Sequence, residues 1–280
     1  MTNPHHLVPT DDELALDVTP ESAGWDHLAF RIVRLAAGAS HQWESPDREA
    51  AIVPLSGTAT VTIGDREISL ARDSVFTELG RVVYVPPRTP VVITAVEPFE
   101  LTLGSAPAEG LLPPRVVETS EMRSEIRGGG TALRQVIHTL APPLEAERLI
   151  LYEVYVPRGT WSGWPPHAHD GREGSPYLEE VYYFRTQPTE GFAFHRNWRD
   201  EEDFDESFAA SDGDVVLVTR GYHSSAAAPG SNVYFLNYLA GELVMDQRVT
   251  PPCFHADHTW IEADWDAGAW NLPVITTTGR

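Results

Sequence analysis

Two histidines, His167 and His169, stand two residues apart in the stretch PPHAHDGREGSPYLEEVYYF (165–184). Side chains along a strand alternate between its two faces, so an extended backbone at 167–169 places both imidazoles on one face. Glu180 begins an aromatic and β-branched run, and His223 follows the segment DVVLVT through the turn RGY. Three imidazoles and one carboxylate suit Zn(II), Fe(II), Mn(II) or Ni(II). The pattern predicts a divalent metal site, although two surface histidines would give the same HxH spacing.

The carboxylate of this set has two candidates, because Glu179 directly precedes Glu180. In a strand, Glu180 shares its face with Tyr182 and Phe184, whereas Glu179 lies on the opposite face with Tyr183. Alternation alone does not say which of the two faces points inward.

These residues must be positioned by strands, since 23 prolines and 21 glycines spread along the chain favour short strands joined by turns. The predicted strands of the first half are 28–36, 51–55, 59–63, 74–79, 81–85 and 91–96. Those of the second half are 134–140, 148–156, 180–184, 192–198, 214–219 and 233–239. We therefore expect two similar β units, 1–115 and 116–280, with a helix or a linker at 116–127 between the two sets of strands.

Composition excludes several classes of function. The net charge is −21, which is unfavourable for binding nucleic acid, and all 20 basic residues are arginine, so no side chain can form a lysine imine and only the amino terminus could do so. No run of 18 apolar residues predicts a membrane span, and the start of the chain has no signal-peptide pattern. Cys253 is the only cysteine, so no intrachain disulfide is possible and a reducing, cytoplasmic setting is expected.

The stretch from His167 to Glu180, followed by DGDVVLVTRGYH (212–223), resembles the two short motifs of the cupin superfamily. The matching positions are His167, His169, Glu180, Gly213, Gly221 and His223. The superfamily pattern favours the glutamate directly before a β-branched residue, which is Glu180. The segment between HxH and Glu180 is longer than in typical cupins, and Thr219 stands where proline is usual. The resemblance implies an all-β bicupin of two double-stranded β-helix (jelly-roll) barrels.

The first half contains an incomplete version of the same two motifs. His41 and Glu49 occupy roughly motif-like places, but there is no HxH, and no histidine follows PPRTP (86–90). We expect this barrel to be degenerate and metal-free, with the metal and the active site in the second barrel.

At greater length the second half resembles one narrower family. The stretches WSGWPPHAHD, YLEEVYYFR, GFAFHRNW, DGDVVLVTRGYH, APGSNVYFLNYLAG and DHTWI together resemble the 5-deoxy-glucuronate isomerases of myo-inositol catabolism. These are relatives of the 4-deoxy-5-threo-hexosulose-uronate ketol-isomerases of pectin breakdown. The resemblance, over roughly residues 20–262, implies conversion of 5-deoxy-glucuronate to 5-dehydro-2-deoxy-gluconate. It also implies zinc on His167, His169, Glu180 and His223, with iron, manganese and nickel as alternatives.

An aldose–ketose isomerase moves a proton between adjacent carbons through an enediol, so it needs an electrophile and a base. The base could be a metal-bound hydroxide, a carboxylate or a tyrosinate, and the candidates here are Glu179 and Tyr182. Either side chain would equally serve a structural role in a strand.

A uronate carboxylate needs a cationic partner, which arginine provides with bidentate geometry. Arg134, Arg185 and Arg220 lie in or beside the resembling stretches, although each could instead form a surface ion pair. Asn237, with Tyr182 and Tyr183, could bind sugar hydroxyl groups or simply fill the barrel. The segment HADH (255–258) is interpreted as part of a closing segment rather than a second metal site.

Two other functions remain possible from the residues alone. The same four ligands could bind Fe(II) in a cupin dioxygenase, or the chain could be a sugar-binding bicupin without catalysis. In all three cases the partner is a small molecule, and the sheet edges of such barrels make a homo-oligomer plausible.

Overall fold

The computed structural model describes residues 3–272 and 274–275. The amino terminus and the outer ends of the two predicted units, 1–2 and 276–280, lie outside the described residues. A membrane-spanning helix needs about 20 apolar residues, and no helix in the described ranges meets that requirement.

Strands dominate both halves of the chain, which confirms the prediction of an all-β fold. The first half contains β1 (His6–Leu7), β2 (Leu14–Val18), β3 (Ala29–Leu35), β4 (Ser40–Trp43), β5 (Arg48–Ile63), β6 (Arg66–Arg72), β7 (Val82–Val85), β8 (Val91–Ala95), β9 (Phe99–Pro107) and β10 (Arg115–Val117). The second half contains β11 (Arg123–Arg127), β12 (Arg134–Leu140), β13 (Ile150–Val156), β14 (Trp161–Ala168), β15 (Leu178–Gln187), β16 (Phe192–Arg199), β17 (Phe204–Ser211), β18 (Val215–Val218), β19 (Tyr222–Ala227), β20 (Asn232–Gly241) and β21 (Cys253–Phe254). The described helical segments are α1 (Pro20–Ala23) and short 3₁₀ turns at Thr119–Glu121, Gly130–Ala132, Met245–Gln247 and Ala256–Ala263.

Each half folds its strands into a barrel of two layers. In the second half, one sheet has the order β1-β18-β15-β20-β13-β12-β11 and the other β17-β16-β19-β14-β21. In the first half, β5 is long enough to pair with β7 and β9 at one end and with β6 and β8 at the other. The first barrel also contains β2, β3, β4 and β10.

The large sheets of the two barrels pack back to back, so their strands are buried on both faces. Along β15, Tyr182 and Phe184 belong to the core inside the second barrel. Val181 and Tyr183 instead belong to a core shared with first-barrel residues such as Phe30. This explains why alternation alone did not identify the inward face: both faces of the strand are apolar.

Two buried glutamates join the barrels in a reciprocal way. Glu49 of the first barrel accepts hydrogen bonds from three consecutive backbone N–H groups, 147–149, just before β13, at 2.6–2.8 Å. Glu179 of the second barrel accepts from three consecutive N–H groups, 26–28, just before β3. Each barrel therefore satisfies backbone donors at the start of a strand in the other.

The structure differs from the sequence prediction at three places. Residues 74–79, predicted as a strand, form a turn in which the Ser74 carbonyl accepts from the N–H groups of Thr77 and Glu78, so that prediction was wrong. The segment 116–127 is neither a helix nor an unstructured linker, because β10 and β11 occupy most of it. The boundary at 115/116 falls within β10, which pairs with first-barrel β7, while β1 pairs with second-barrel β18. We therefore propose a division between β10 and β11, with β1 contributed to the second barrel.

Candidate metal centre and active site

Strands β14 and β19 bring the three predicted histidines together. His167 lies directly opposite His223 in the pairing of these strands, and their ring centroids are 4.3 Å apart. His169 projects on the same side of β14, with its ring 5.1 Å from that of His223. The potential ligand nitrogens of all three lie within 4.8 Å of one another.

A bulge in β14 makes room for the first of these rings. The pairing register shifts between Ser162 and His167, and Gly163 within the bulge has a φ of +68°. A Cβ atom on Gly163 would stand 3.1 Å from Cε1 of His167. Glycine therefore both adopts the left-handed backbone and leaves space for the imidazole.

Glu180 reaches the histidines from β15 in the opposite sheet. Its Oε2 atom lies 2.7 Å from Nε2 of His169 and 3.3 Å from Nε2 of His223. The Nδ1 atom of His169 is 3.0 Å from the carbonyl of Leu178, an interaction that fixes the ring orientation and directs Nε2 toward the carboxylate. Burial alone would raise the pKa of Glu180, but the hydrogen bond with His169 and the nearby imidazole of His223 hold it well below its usual value.

The donor set fits a divalent cation. Both ring nitrogens of His223 are buried without a hydrogen-bond partner in the described structure, a costly condition that a metal bond to one of them would relieve. Burial lowers the pKa values of His167 and His223, so both imidazoles are neutral and keep a lone pair for a metal. A mixed set of imidazole and carboxylate is typical of zinc, iron and manganese sites.

A pocket of about 610 Å³, counted to its open mouth, lies beside this cluster. His167, His169 and Glu180 form part of its wall, and the polar side chains around them are Arg127, Arg134, Tyr152, Ser162, Tyr182, Asn237 and Thr250. A more apolar cleft on the other side of Arg134 has no histidine, cysteine or carboxylate in its described lining. The pocket inside the second barrel is therefore the candidate active site.

Tyr182 and Asn237 lie opposite each other on β15 and β20, and both line the pocket. Burial, reinforced by the negative charge of Glu180, raises the pKa of the Tyr182 phenol well above its usual value. The raised pKa favours the protonated phenol, which can donate a hydrogen bond into the pocket.

Arg134 places a cation at the edge of the pocket. Its Nη1 donates to the carbonyl of Ala132 at 3.2 Å, and no carboxylate of the described chain forms an ion pair with it. Burial, with a contribution from the charge of Arg127, lowers the pKa of Arg134 to about 10, which leaves it fully charged at neutral pH.

Four other predicted residues, Glu179, Tyr183, Arg185 and Arg220, do not line the pocket. Glu179 projects from the opposite face of β15 and accepts the three backbone hydrogen bonds described above, so its carboxylate lies outside the pocket.

Arg185 pairs with Glu100 and Asp212, each at 2.9 Å, in a groove between the barrels. Arg220 pairs with Glu202 at 3.2 Å on an exposed surface. Both arginines form the ion pairs that the sequence left open as an alternative. Tyr183 faces the shared core beside Arg185.

Sequence reasoning missed the contacts of Asp170, which connect the segments that carry His169 and His223. Asp170 directly follows His169, and its Oδ2 atom accepts from the N–H of Gly221 at 2.8 Å, two residues before His223. The same oxygen pairs with the buried guanidinium of Arg199 on β16. An acidic residue immediately after HxH was the available signal.

Three of the four corresponding places in the first barrel hold apolar side chains. Strand β4 pairs with β8 as β14 pairs with β19, so His41 lies opposite Ile93. Trp43 and Ala50 stand where the second histidine and the ligand glutamate stand in the other barrel, and Glu49 corresponds to Glu179. Trp43, Ala50 and Ile93 all belong to the first barrel's apolar core.

The HADH segment packs against the site from outside. His255 is hydrogen-bonded to Asp200 at 2.7 Å, and the ring of His258 lies 5.1 Å from that of Trp164 on β14. Just before it, Phe254 pairs with His167 in the β14–β21 register. These contacts support the interpretation as a closing segment.

Comparisons with known proteins agree with this architecture. A protein of Geobacillus thermodenitrificans named 5-deoxy-glucuronate isomerase is 36% identical over 259 residues, which cover 90% of this chain and 93% of that protein. A protein of the same name from Bacillus subtilis strain 168 is 33% identical over 266 residues, covering 91% and 95% of the two chains.

Solved structures show the same fold. An IolB-like protein from Salmonella typhimurium has a TM-score of 0.87 and 35% identity, covering 92% of this chain and 98% of its own. Oxalate decarboxylase of Lactobacillus farciminis, at 13% identity, has a TM-score of 0.64 over 94% and 91% of the two chains, a likeness in fold alone. The predicted cupin fold is confirmed. The family model described as KduI/IolB matches residues 3–261, and the chain belongs to that family.

Proposed function

We propose that this protein is a 5-deoxy-glucuronate isomerase that converts 5-deoxy-glucuronate to 5-dehydro-2-deoxy-gluconate in the cytoplasmic catabolism of inositol. The relatives that carry this enzyme name match about nine-tenths of the chain at 32–36% identity, and their names favour neither a dioxygenase nor a non-catalytic sugar-binding protein. The observation that carries the proposal is the buried cluster of three imidazoles and one carboxylate beside a pocket with an unpaired arginine.

His167, His169, Glu180 and His223 would hold the metal, and a divalent metal bound there would act as a Lewis acid that polarises the sugar carbonyl. We propose zinc. Manganese is the strongest alternative, since it occupies the centres of a Bacillus subtilis oxalate decarboxylase of the same fold. We also propose that the metal is confined to the second barrel, because three of the four corresponding places in the first barrel hold apolar residues of its core.

The residues around the cluster bind and orient the substrate. The protonated phenol of Tyr182 donates a hydrogen bond to the sugar oxygen on which negative charge develops, which lowers the energy of the enediol. Asn237, across from it, hydrogen-bonds a neighbouring hydroxyl group. Arg134 pairs with the uronate carboxylate, and the buried walls limit access of water to the reacting carbons.

Incubation of the purified, metal-loaded protein with 5-deoxy-glucuronate, followed by NMR, tests the proposal. We expect conversion of the aldehyde signals to those of the ketose without oxygen uptake or added nicotinamide. The His167→Ala, His169→Ala double variant should lose both bound metal and turnover. The absence of ketose with every loaded metal would refute the isomerase, and oxygen consumption by the iron form would favour the dioxygenase.

A further inference from the structure

The hairpin of β11 and β12 carries two arginines that face the same pocket. Arg127 and Arg134 lie directly opposite each other in the antiparallel register of these strands. Both line the pocket that contains His167 and His169. Residues at opposite positions on neighbouring strands project from the same face with their Cβ atoms about 5 Å apart.

This arrangement leaves positive charge uncompensated. Like charges at opposite positions of a sheet repel, and the charge of Arg127 contributes to the lowered pKa of Arg134. The whole sequence has 41 acidic residues against 20 arginines, so partners are plentiful. Yet within the described chain Arg127 pairs only with Glu125, which also pairs with Arg123, and Arg134 pairs with no carboxylate. The two strands therefore carry three arginines and a single glutamate.

Neighbouring contacts hold Arg127 at the mouth of the pocket. Its guanidinium carbon lies 6.0 Å from the centroid of the Tyr152 ring, and the hydroxyl of Tyr152 is 3.0 Å from Oγ1 of Thr250. Tyr152 and Thr250 line the same pocket. The side chain is thus supported by an aromatic surface that is itself anchored.

We propose that Arg127 and Arg134 together form the carboxylate site of the pocket, one guanidinium for each side of the anion. The ligand class is an acyclic aldose acid whose carboxylate lies at the end of the chain remote from the aldehyde. Binding at the hairpin directs the aldehyde end toward the histidine cluster. A neutral sugar of the same length leaves the half-buried Arg134 unpaired, which makes the pair a determinant of specificity. This inference rests on the proposed function for the identity of the acid.

The test compares 5-deoxy-glucuronate with its uncharged C6 amide, which keeps the aldehyde and all hydroxyl groups. In the wild-type protein we expect a clear preference for the acid in kcat/KM. Arg134→Gln should lower kcat/KM for the acid by about 10- to 100-fold, the loss expected for hydrogen bonds to a charged group. Arg127→Gln, at a more exposed position, should lower it by up to about fivefold. In both variants the preference for the acid over the amide should fall, because the amide no longer leaves that guanidinium unpaired.

Arg123→Gln is the matched control, because Arg123 also pairs with Glu125 but does not line the pocket. It should keep the wild-type preference, and all three variants should retain metal content and melting temperature. The Arg127→Lys, Arg134→Lys double variant tests the charge itself in a protein that keeps both cations, and it should retain part of the preference.

Persistence of the acid preference in the Arg127→Gln, Arg134→Gln double variant, or its absence in the wild-type protein, would overturn the inference. The two proposals fail separately. If the wild-type protein produces no ketose, equilibrium binding of the acid and the amide still reports on the arginine pair. If ketose forms at the wild-type rate in the double variant, the assignment of the arginine pair as the carboxylate site is wrong, whereas the proposed isomerase function stands.

Discussion

At the scale of single residues, the adjacent glutamates on β15 have opposite surroundings. Glu180 points into the second barrel between His169 and His223, whereas Glu179 points toward the first barrel and its backbone donors. One residue of register thus separates a candidate metal ligand from a structural anchor.

Replacing Glu180 by glutamine removes the anionic ligand without changing the size of the side chain. We expect metal affinity to fall by at least about 100-fold, the upper range for loss of supporting groups around a metal. Competition with a chromophoric chelator measures the change. Glu179→Gln is the matched control: it is expected to lower stability, but the folded variant should bind metal as the wild-type protein does. Equal metal loss in both variants would show that the assignment of Glu180 is wrong.

Tyr182→Phe separates turnover from metal binding. The phenylalanine keeps the ring packing against Phe235 but removes the hydroxyl donor. Loss of one such donor typically lowers kcat by about 100-fold or more. Initial rates by NMR, together with metal analysis, should show slow turnover at unchanged metal content. A rate equal to that of the wild-type protein would exclude Tyr182 from the reaction.

Sequence reasoning predicted the direction of a candidate side chain where the local backbone alone determines it. Alternation places His167 and His169 on one face of a strand, and they lie there. The choice of Glu180 required the family pattern, since both faces of β15 are buried. Arg185 could not be judged from sequence, because its partner Glu100 comes from the other barrel.

At the scale of elements, the ligand strands need a connection to each other at the mouth of the barrel. Asp170 provides it by joining the end of β14 to the turn before β19 through the N–H of Gly221. Gly221 has a φ of +78°, and a Cβ atom there would stand 2.3 Å from the carbonyl oxygen of Trp198. Only glycine fits this turn, which sets the start of the strand that carries His223.

Asp170→Asn should therefore weaken metal binding although Asp170 is not a ligand in the proposed set. The amide loses the ion pair with Arg199 and leaves a buried guanidinium unbalanced, so the ligand strands move apart. We expect metal affinity to fall by about 10- to 100-fold. Equilibrium dialysis measures it.

Asp205→Asn is the control for this effect. Asp205 forms an exposed ion pair with Arg196 in the same sheet, remote from the histidines, and its loss should leave metal affinity unchanged. Equal metal affinities in the Asp170 variant and the wild-type protein would mean that the contacts of Asp170 do not position the ligands.

The elements most poorly predicted are those with unusual local chemistry. Strand β14 contains WPPH and a glycine bulge, features that normally argue against a strand, and it was therefore anticipated only at the histidines. Residues 74–79 have the composition of a strand but close on themselves, because Arg72 donates to the carbonyl of Glu78. An alternating sequence pattern does not reveal hydrogen bonds of this kind between a side chain and the backbone.

At the scale of the whole molecule, the two barrels share one of their apolar cores. A buried glutamate of each barrel also accepts hydrogen bonds from the backbone of the other. Glu49 and Glu179 are both fully buried, and each is satisfied by three backbone donors of the other barrel and a tyrosine hydroxyl of its own. The sequence predicted two units but not this exchange, because the pairing depends on which faces meet.

Either Glu49→Gln or Glu179→Gln should destabilise the entire protein. Each amide has one acceptor oxygen and no charge, so backbone donors lose part of their partner, and we expect the free energy of unfolding to fall by about 2 kcal/mol. Urea denaturation followed by fluorescence and circular dichroism should give a single transition for both barrels. Glu190→Gln, at an exposed position, should have no effect. Separate transitions would show that the barrels are independent.

The hydrogen bonds of Glu49 to the second barrel also bear on how the protein folds during its synthesis. Strands β2 to β10 are complete well before residues 147–149 have been added, and until then Glu49 has only Tyr84 among its four donors. A charge so poorly satisfied stays in contact with water rather than entering an apolar interior. The first barrel therefore cannot finish packing while it alone has emerged from the ribosome. Its completion waits for the start of the second, and the two mature as one cotranslational unit.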